Sequence, residues 1–254
     1  MNDKTANRNG VKGDVPATDA VTGETAGGPV VKAVNIHKSY PSGTEVIHVL
    51  RGVDLEIGPR QVIAVVGPSG IGKSTLLHML GALDRPDTGK VMAGGVDVFS
   101  LNDHDIARFR NRTFGFVFQF HHLMPELTAL ENVMMPCLIG GMSNAEADHR
   151  AREILTDDVD LGGRLDHRPR ELSGGEQQRV AVARALVMRP AVVLADEPSG
   201  NLDPESSEAL HEMIWALRER YGQSFVIVTH NLELARSADR VLKLFDGVVQ
   251  EVSL

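Results

Sequence analysis

The chain has 254 residues and a net charge of −8, and 42% of its residues are hydrophobic and 24% charged. These values are ordinary for a globular protein of one large or two small domains, and the acidic balance argues against nonspecific binding to nucleic acid. Apolar runs are too short to span a membrane, and the first ten residues lack the apolar core of a secretory signal. The single cysteine, Cys137, excludes an internal disulfide and fits a reducing compartment. Together these features indicate a soluble intracellular protein.

The first 30 residues differ in composition from the rest of the chain. They are rich in Gly, Thr, Asn and Asp and contain no aromatic residue. Such a segment buries too little apolar surface to offset the conformational entropy that folding costs. We therefore expect residues 1–30 to be a disordered extension, and the folded domain to span residues 31–254.

Apolar patterning beyond residue 30 predicts alternating strands and helices. The predicted strands are Val31–Ile36, Val46–Leu50, Val53–Ile57, Gln61–Val66, Ala191–Ala195 and Phe225–Thr229. The predicted helices are Ser74–Leu83, Val180–Val187 and Pro204–Tyr221, and residues from about 122 to 172 look mostly helical. Because the later strands are continuously apolar, they are typical of a parallel sheet covered by helices on both faces. The pattern thus predicts an α/β fold.

A glycine-rich loop joins the strand at Gln61–Val66 to the helix that follows. It matches the phosphate-binding pattern GxxxxGK[ST], in which glycines let backbone N–H groups face a phosphate at a helix N-terminus. Lys73 would neutralise the β- and γ-phosphates of a nucleotide, and the Ser74 hydroxyl would ligate Mg²⁺. The predicted nucleotide-binding residues here are Gly67, Pro68, Ser69, Gly70, Ile71, Gly72, Lys73, Ser74 and Thr75.

Two adjacent acidic residues, Asp196 and Glu197, follow a buried strand. Ligands bind at the carboxyl ends of strands in open α/β sheets. We therefore expect Asp196 to hold Mg²⁺ and Glu197 to polarise an attacking water.

A third motif lies just before the predicted helix at Val180–Val187. Ser173 and Glu176 have the spacing of a capping box, so the simplest interpretation is a well-capped helix. However, Gly174 and Gly175 weaken a helix start and are better explained if a phosphate must approach the backbone. We predict that Ser173, Gly174, Gly175 and Glu176 contact a nucleotide.

Together, these motifs resemble those of the ATP-binding subunits of ABC transporters, from about Val31 to the C-terminus. The resemblance implies a P-loop ATPase core with an N-terminal antiparallel β subdomain and an inserted α-helical subdomain at about residues 122–172. It implies ATP and Mg²⁺ as cofactors, and hydrolysis to ADP and phosphate as the reaction. It also implies that two copies of the chain bind head to tail, so that the Ser173 motif of each copy completes the ATP site of the other.

The resemblance also assigns roles to four single residues. Tyr40 resembles the aromatic residue that stacks on adenine, although a tyrosine at a strand end is often only structural. Gln119 resembles the glutamine that contacts Mg²⁺ and the attacking water and senses the membrane partner. Asp203 resembles the loop residue that communicates across the dimer, and His230 resembles the histidine that contacts the γ-phosphate.

Residues 116–136 are the most specific segment and resemble those of ATPases in bacterial lipoprotein-releasing systems. The resemblance implies inner-membrane permease subunits like LolC and LolE as partners, with membrane contact only through them. It places the chain on the cytoplasmic face of the bacterial inner membrane, releasing lipoproteins toward a periplasmic carrier, and implies no nucleic-acid partner. FtsE-like cell-division ATPases and MacB-type efflux or mechanotransmission ATPases are the alternatives.

Five apolar residues of the helical segment are candidates for the surface that binds the membrane partner. Methionine suits an adaptable docking surface, but packing in the core of the subdomain explains each residue equally well. The candidates are Met124, Leu127, Leu130, Met134 and Met135.

Overall fold

The computed structural model describes residues 28–253, which fold around two β-sheets. The strands are β1 Val31–Ser42, β2 Glu45–Ile57, β3 Val62–Val66, β4 Thr88–Ala93, β5 Val96–Asp97, β6 Phe114–Phe118, β7 Val192–Asp196, β8 Ser224–Val228, β9 Arg240–Phe245 and β10 Val248–Val252. The α-helices are α1 Lys73–Leu80, α2 Asp103–Thr113, α3 Ala129–Ile139, α4 Asn144–Glu153, α5 Gly174–Leu186, α6 Pro204–Tyr221 and α7 Leu232–Arg236. The predicted extension at residues 1–30 lies almost wholly outside the described residues.

The larger sheet has the strand order β10-β9-β3-β8-β7-β6, and all its neighbouring strands are parallel except the β9–β10 pair. Side chains along its strands point alternately to the two faces of the sheet and pack into two different cores. Val226 and Val228 of β8 pack with α1 and the smaller antiparallel sheet, β2-β1-β4-β5, whereas Phe225 and Ile227 pack with α5 and α6. Helices α3 and α4 are inserted between β6 and α5. The predicted fold class is confirmed, while the boundaries of the helical subdomain stay a prediction.

Several predicted elements have different bounds in the structure. The runs Val46–Leu50 and Val53–Ile57 form one strand, β2, because Gly52 is an extra residue in its ladder with β1 and bends the strand without ending it. The predicted helix Ser74–Leu83 ends at Leu80, where the missing side chain of Gly81 lets α1 pack against β6 and β7.

Helix α5 starts at Gly174, six residues before the predicted start at Val180, and its capping box is formed as expected. Helix α6 matches its prediction at both ends. In the part of the chain that the structure describes, no helix is both long and apolar enough to cross a membrane.

The helical insert buries two of the five residues predicted to bind a membrane partner. Leu130 and Met134 are 6% and 7% exposed and belong to the core that α3 forms with α4 and α5. The docking prediction is wrong for these two because α3 is apolar on more than one face, and its inward face takes them. Met124, Leu127 and Met135 are half-buried.

One buried amide organises the segment that leads into α3. The side chain of Asn132 is fully buried, and its Oδ1 accepts a hydrogen bond from the Met124 N–H at 2.8 Å. Its Nδ2 lies within 3.2 Å of the carbonyl oxygens of Met124, Leu127 and Thr128. Asn132 therefore holds residues 124–128 against α3.

We expect Asn132→Ala to lower the free energy of unfolding by about 3 kcal/mol, because several buried backbone groups lose their partner. The matched control is Asn111→Ala, which removes one hydrogen bond, to the Pro136 carbonyl. Urea denaturation would measure both variants, and equal losses would contradict the organising role of Asn132.

Candidate functional site

Four neighbouring parallel strands bring their carboxyl ends to one edge of the larger sheet. In the order β3, β8, β7 and β6, the residues at or just beyond these ends are Gly67, His230, Glu197 and Gln119. Parallel strands end side by side, so the structure brings the predicted phosphate loop together with the three predicted catalytic residues.

The predicted phosphate loop wraps closely between β3 and α1. Gly72 has φ +109°, and a Cβ on it would lie 2.4 Å from Cγ1 of Val49. Lys73 is 8% exposed, and its Nζ donates hydrogen bonds to the carbonyl oxygens of Gly67 at 2.9 Å and Pro68 at 3.1 Å. The lysine charge therefore lies within the curve of the loop, at the N-terminus of α1, where an anion is stabilised.

The two residues predicted to hold Mg²⁺ with Gln119 carry oxygen ligands, one within this loop and one at the same edge of the sheet. Asp196 is half-buried at the end of β7, and Ser74 lies exposed in the first turn of α1. A carboxylate, a hydroxyl and an amide oxygen fit Mg²⁺, which takes few protein ligands and keeps places for phosphate and water.

Glu197 is held in an unusual conformation against His230. Its φ is +46°, in the left-handed region that side chains other than glycine rarely adopt. Its amide donates to the Val228 carbonyl at 2.9 Å, and its Oε2 lies 2.9 Å from Nδ1 and 3.2 Å from the main-chain N of His230. The carboxylate and the imidazole therefore form one hydrogen-bonded unit at the edge of the sheet.

Gln119 is bonded to the loop that follows Glu197. Its Nε2 donates to Oδ1 of Asn201 at 3.0 Å, and Nδ2 of Asn201 donates to the main-chain oxygen of Gln119 at 3.0 Å. Farther along the same segment, Arg184 of α5 donates to the carbonyls of His121 at 2.6 Å and His122 at 2.7 Å.

Tyr40 lies on β1, and its hydroxyl donates to Oδ2 of Asp84 at 2.9 Å. Lys38 forms an ion pair with the same carboxylate at 2.8 Å, and its ammonium lies 5.0 Å from the centre of the Tyr40 ring. Burial and the hydrogen bond to Asp84 raise the pKa of Tyr40 above its usual 10.0, and Thr75 partly opposes the shift. The aromatic ring is thus fixed beside the phosphate loop.

The Ser173 motif lies in a separate cluster at the start of α6. A Cβ on Gly175 would lie 3.3 Å from the hydroxyl of Ser206, which itself donates to Oδ2 of Asp203 at 2.7 Å. Asp203 caps α6 by accepting a hydrogen bond from the main-chain N–H of Ser206. The structure therefore brings Gly175 and Asp203 together.

Arg164 reinforces the Ser173 motif. The Ser173 N–H donates to one oxygen of Glu176 at 2.7 Å, and Nε of Arg164 donates to the other at 2.7 Å. The Ser173 amide, and next the Arg164 guanidinium, lower the pKa of Glu176 from its usual 4.5 to about 2.

The structure adds four residues that sequence reasoning missed. Asp84, Arg164, Arg184 and Asn201 each fix a predicted site residue or its neighbours, but none belongs to a repeating pattern. Only Asn201 carried a signal, because it lies in the segment that ends at Asp203.

An open groove of about 430 Å³ lies between α2, β6, α3 and α5. Arg110 and Arg184 line it together with apolar residues that include Phe116, Phe118 and Ile139. Ile139 is 68% exposed. Phe120, which directly follows Gln119, is 69% exposed. Large apolar side chains are thus accessible next to the segment that carries Gln119.

Comparisons with known proteins agree with this architecture. The sequence pattern of the family described as ABC transporter matches residues 50–200. Relatives named lipoprotein-releasing system ATP-binding protein LolD include those of Saccharophagus degradans, 53% identical, and Myxococcus xanthus, 54% identical. These matches cover 88% and 85% of this chain, and 97% and 96% of the relatives.

A solved structure shares the fold. It is the dimeric, post-hydrolysis state of the ATP-binding cassette MJ0796 bound to ADP and Pi, which superposes with a TM-score of 0.81 at 40% identity. The match covers 88% of this chain and 98% of that chain.

We expect Glu176→Gln to lower the melting temperature by about 2–4 °C at pH 7, because the capping box survives but the charged partner of Arg164 is lost. The pKa of Glu176 is lowered by folding, so its contribution is present above pH 4.5 and is lost as the pH falls toward about 2. The difference between wild type and variant should therefore shrink over that range in thermal melts. Glu146→Gln is the matched control, since Glu146 forms the same capping box on α4 without an arginine hydrogen bond. If Glu146→Gln lowered the melting temperature at pH 7 as much as Glu176→Gln does, the role of Arg164 would be contradicted.

Proposed function

The chain belongs to the ABC transporter family and is an ATPase, and we propose that its ATP hydrolysis drives the release of lipoproteins from the bacterial inner membrane. The observation that carries this proposal is the identity of 53% and 54% to relatives named for lipoprotein release, over at least 96% of their length. Agreement over that length extends well beyond the motifs that all ATPases of the family need.

In this proposal the loop at residues 67–75 binds the phosphates of ATP, with Lys73 and the N-terminus of α1 supplying positive charge. Tyr40 stacks on the adenine. Its hydrogen bond to Asp84, whose carboxylate is itself paired with Lys38, holds the ring in place before the base arrives. The buried ammonium of Lys73 supports this assignment, because a nucleotide phosphate can replace the two carbonyls that it contacts.

Ser74, Asp196 and Gln119 are the residues that would hold Mg²⁺. When bound, the ion neutralises charge on the β- and γ-phosphates. The chain supplies Ser74 from α1, Asp196 from the end of β7, and Gln119 from the residue that follows β6.

Glu197 is the proposed general base that polarises the attacking water, and His230 holds its carboxylate and contacts the γ-phosphate. The 2.9 Å contact between Oε2 and Nδ1 supports this pairing, because it leaves Oε1 of Glu197 as the oxygen that can accept a proton from water.

A second copy of the chain is the proposed partner that completes each ATP site. Gly175 lies next to Ser206 and Asp203 at the start of α6. Ser173 and Gly174 are exposed at the N-terminus of α5, so the cap that they form with Gly175 and Glu176 is accessible to phosphates held by another copy. The dimeric state of the MJ0796 cassette supports this arrangement.

The groove beside β6 is the proposed docking surface for LolC- and LolE-like permease subunits. Its apolar floor and the exposed Phe120 and Ile139 suit an amphipathic segment of a membrane protein. Because Gln119 directly precedes Phe120, movement of a bound permease would reach the hydrolytic site within one residue. In this proposal the chain acts at the cytoplasmic face of the inner membrane, which it contacts only through the permease subunits.

We expect Glu197→Gln to lower ATP turnover by roughly 10²–10⁴-fold while ATP binding is retained, because only the proton acceptor is removed. The control is Glu208→Gln, which changes an exposed carboxylate on α6 and should hydrolyse ATP at the wild-type rate. Turnover and nucleotide binding would be measured separately. Wild-type turnover in Glu197→Gln would show that Glu197 is not the base.

The Glu197→Gln variant also tests the cargo, because it should trap the ATP-bound assembly. We expect its purification from detergent-solubilised native membranes with ATP to bring two related permease-like subunits with attached lipoproteins, identified by mass spectrometry. Recovery of a cell-division membrane protein instead, or of no membrane partner, would overturn lipoprotein release.

Adding Ile139→Glu in the groove, or Phe120→Glu beside it, to the trapped variant should abolish recovery of the permease subunits, because an exposed apolar side chain is replaced by a carboxylate that docking would have to desolvate. ATP binding should persist. The control Phe245→Glu alters a side chain that is 58% exposed on β9, away from the groove at β6. If the permease subunits were still recovered with the groove variants but lost with Phe245→Glu, the docking surface would lie elsewhere.

A further inference from the structure

Asn201 and Gln119 form a reciprocal pair of amides between two loops. The residues are 82 positions apart, and each donates one hydrogen bond of 3.0 Å to the other. One of these bonds ends on the main-chain oxygen of Gln119, and the other begins at its side-chain nitrogen. Asn201 therefore contacts both the backbone and the amide group of Gln119.

The main-chain contact fixes which way both amides point. A carbonyl oxygen can only accept, so Asn201 must turn its Nδ2 toward it, and its Oδ1 then faces the side chain of Gln119. Because Oδ1 of Asn201 can only accept a hydrogen bond, Gln119 must direct its donor, Nε2, toward it. If the Gln119 amide were reversed, two carbonyl oxygens would face each other. The Oε1 atom of Gln119 is thus directed away from Asn201.

The residues around the two amides leave room for this pair and hold the Gln119 segment in place. A Cβ on Gly200 would lie 3.0 Å from Nε2 of Gln119, so the missing side chain lets the amide reach Asn201. On the other side, Arg184 holds the carbonyls of His121 and His122, each of which has φ +48°. The segment that carries Gln119 is consequently fixed at both ends.

We infer that Asn201 is a positioning residue that presents the Oε1 atom of Gln119 as the ligand for Mg²⁺. The inference rests on the proposed role of Gln119. An amide has one oxygen that can ligate a cation and one nitrogen that cannot, so its orientation decides whether Gln119 is a ligand at all. Partners of this kind, which orient a ligand without touching the metal, strongly affect metal affinity. Because Asn201 lies two residues before Asp203, the pair also joins Gln119 to the loop proposed to face the second copy.

The test measures Mn²⁺ in place of Mg²⁺, together with a nonhydrolysable ATP analogue, by electron paramagnetic resonance of the bound ion. We expect Asn201→Ala to weaken Mn²⁺ binding by about tenfold. In steady-state hydrolysis, the Mg²⁺ concentration for half-maximal rate should rise by a similar factor. Ser207→Ala is the matched control, since Ser207 bonds the carbonyl of Ser199 in the same loop without contacting Gln119. It should leave the affinity for Mn²⁺ unchanged.

A double-mutant cycle separates positioning from a merely structural role. If Asn201 acts through Gln119, Asn201→Ala should have no further effect on Mn²⁺ affinity in the Gln119→Ala background. Additive losses, or an unchanged affinity in Asn201→Ala, would overturn the inference. Gln119→Ala with unchanged Mn²⁺ affinity would instead overturn the proposed role of Gln119 as a ligand, and the inference with it.

A second variant guards against an effect of folding. Asn201→Leu keeps roughly the size of the side chain and adds no charge near the cation, but it removes both the donor to the main-chain oxygen of Gln119 and the acceptor that faces Nε2. We expect this nearly isosteric change to weaken Mn²⁺ binding as Asn201→Ala does, with a melting temperature close to that of wild type. Wild-type Mn²⁺ affinity in Asn201→Leu would show that the hydrogen bonds of Asn201 are not required, which contradicts the inference.

Discussion

The parallel register of four buried strands determines the geometry of the site. Asp196 pairs with Phe118 on one side and with Val228 on the other, so the residues that follow all leave the sheet at the same level. If any of these strands slipped by one residue, each of its side chains would point into the opposite core. The close packing of both cores prevents such a slip. The spacing of the site residues is therefore maintained by the apolar cores on the two faces of the sheet, away from the site. The loops only set the direction of the side chains.

Those features of the site that depend on neighbouring residues in the chain could be predicted from the sequence. A strand, a glycine loop and a helix in succession specify the phosphate loop, and the spacing of Ser173 and Glu176 specifies a capping box that the structure contains. Helix α6 was predictable at both ends, because Asp203 caps it and Gly222 follows its last turn. Backbone chemistry within a few residues determines each of these features.

Contacts between distant segments were beyond the reach of sequence patterns. The bonds of Asn201 to Gln119 and of Tyr40 to Asp84 join residues 82 and 44 positions apart, and no periodicity connects such pairs. Burial was unpredictable in α3 for a related reason. Leu130 and Met134 look like any exposed apolar residue until the packing of α4 and α5 against the helix is known.

The left-handed backbone at Glu197 has a consequence for how the protein evolves. A residue with a Cβ loses roughly 1–2 kcal/mol in that conformation, and glycine would not. Selection for thermal stability alone would therefore favour glycine at this position, and the carboxylate would disappear. Retaining glutamate means that the fold tolerates a local loss of stability and keeps a carboxylate beside His230. A screen for heat resistance alone would therefore tend to recover proteins that have lost this carboxylate.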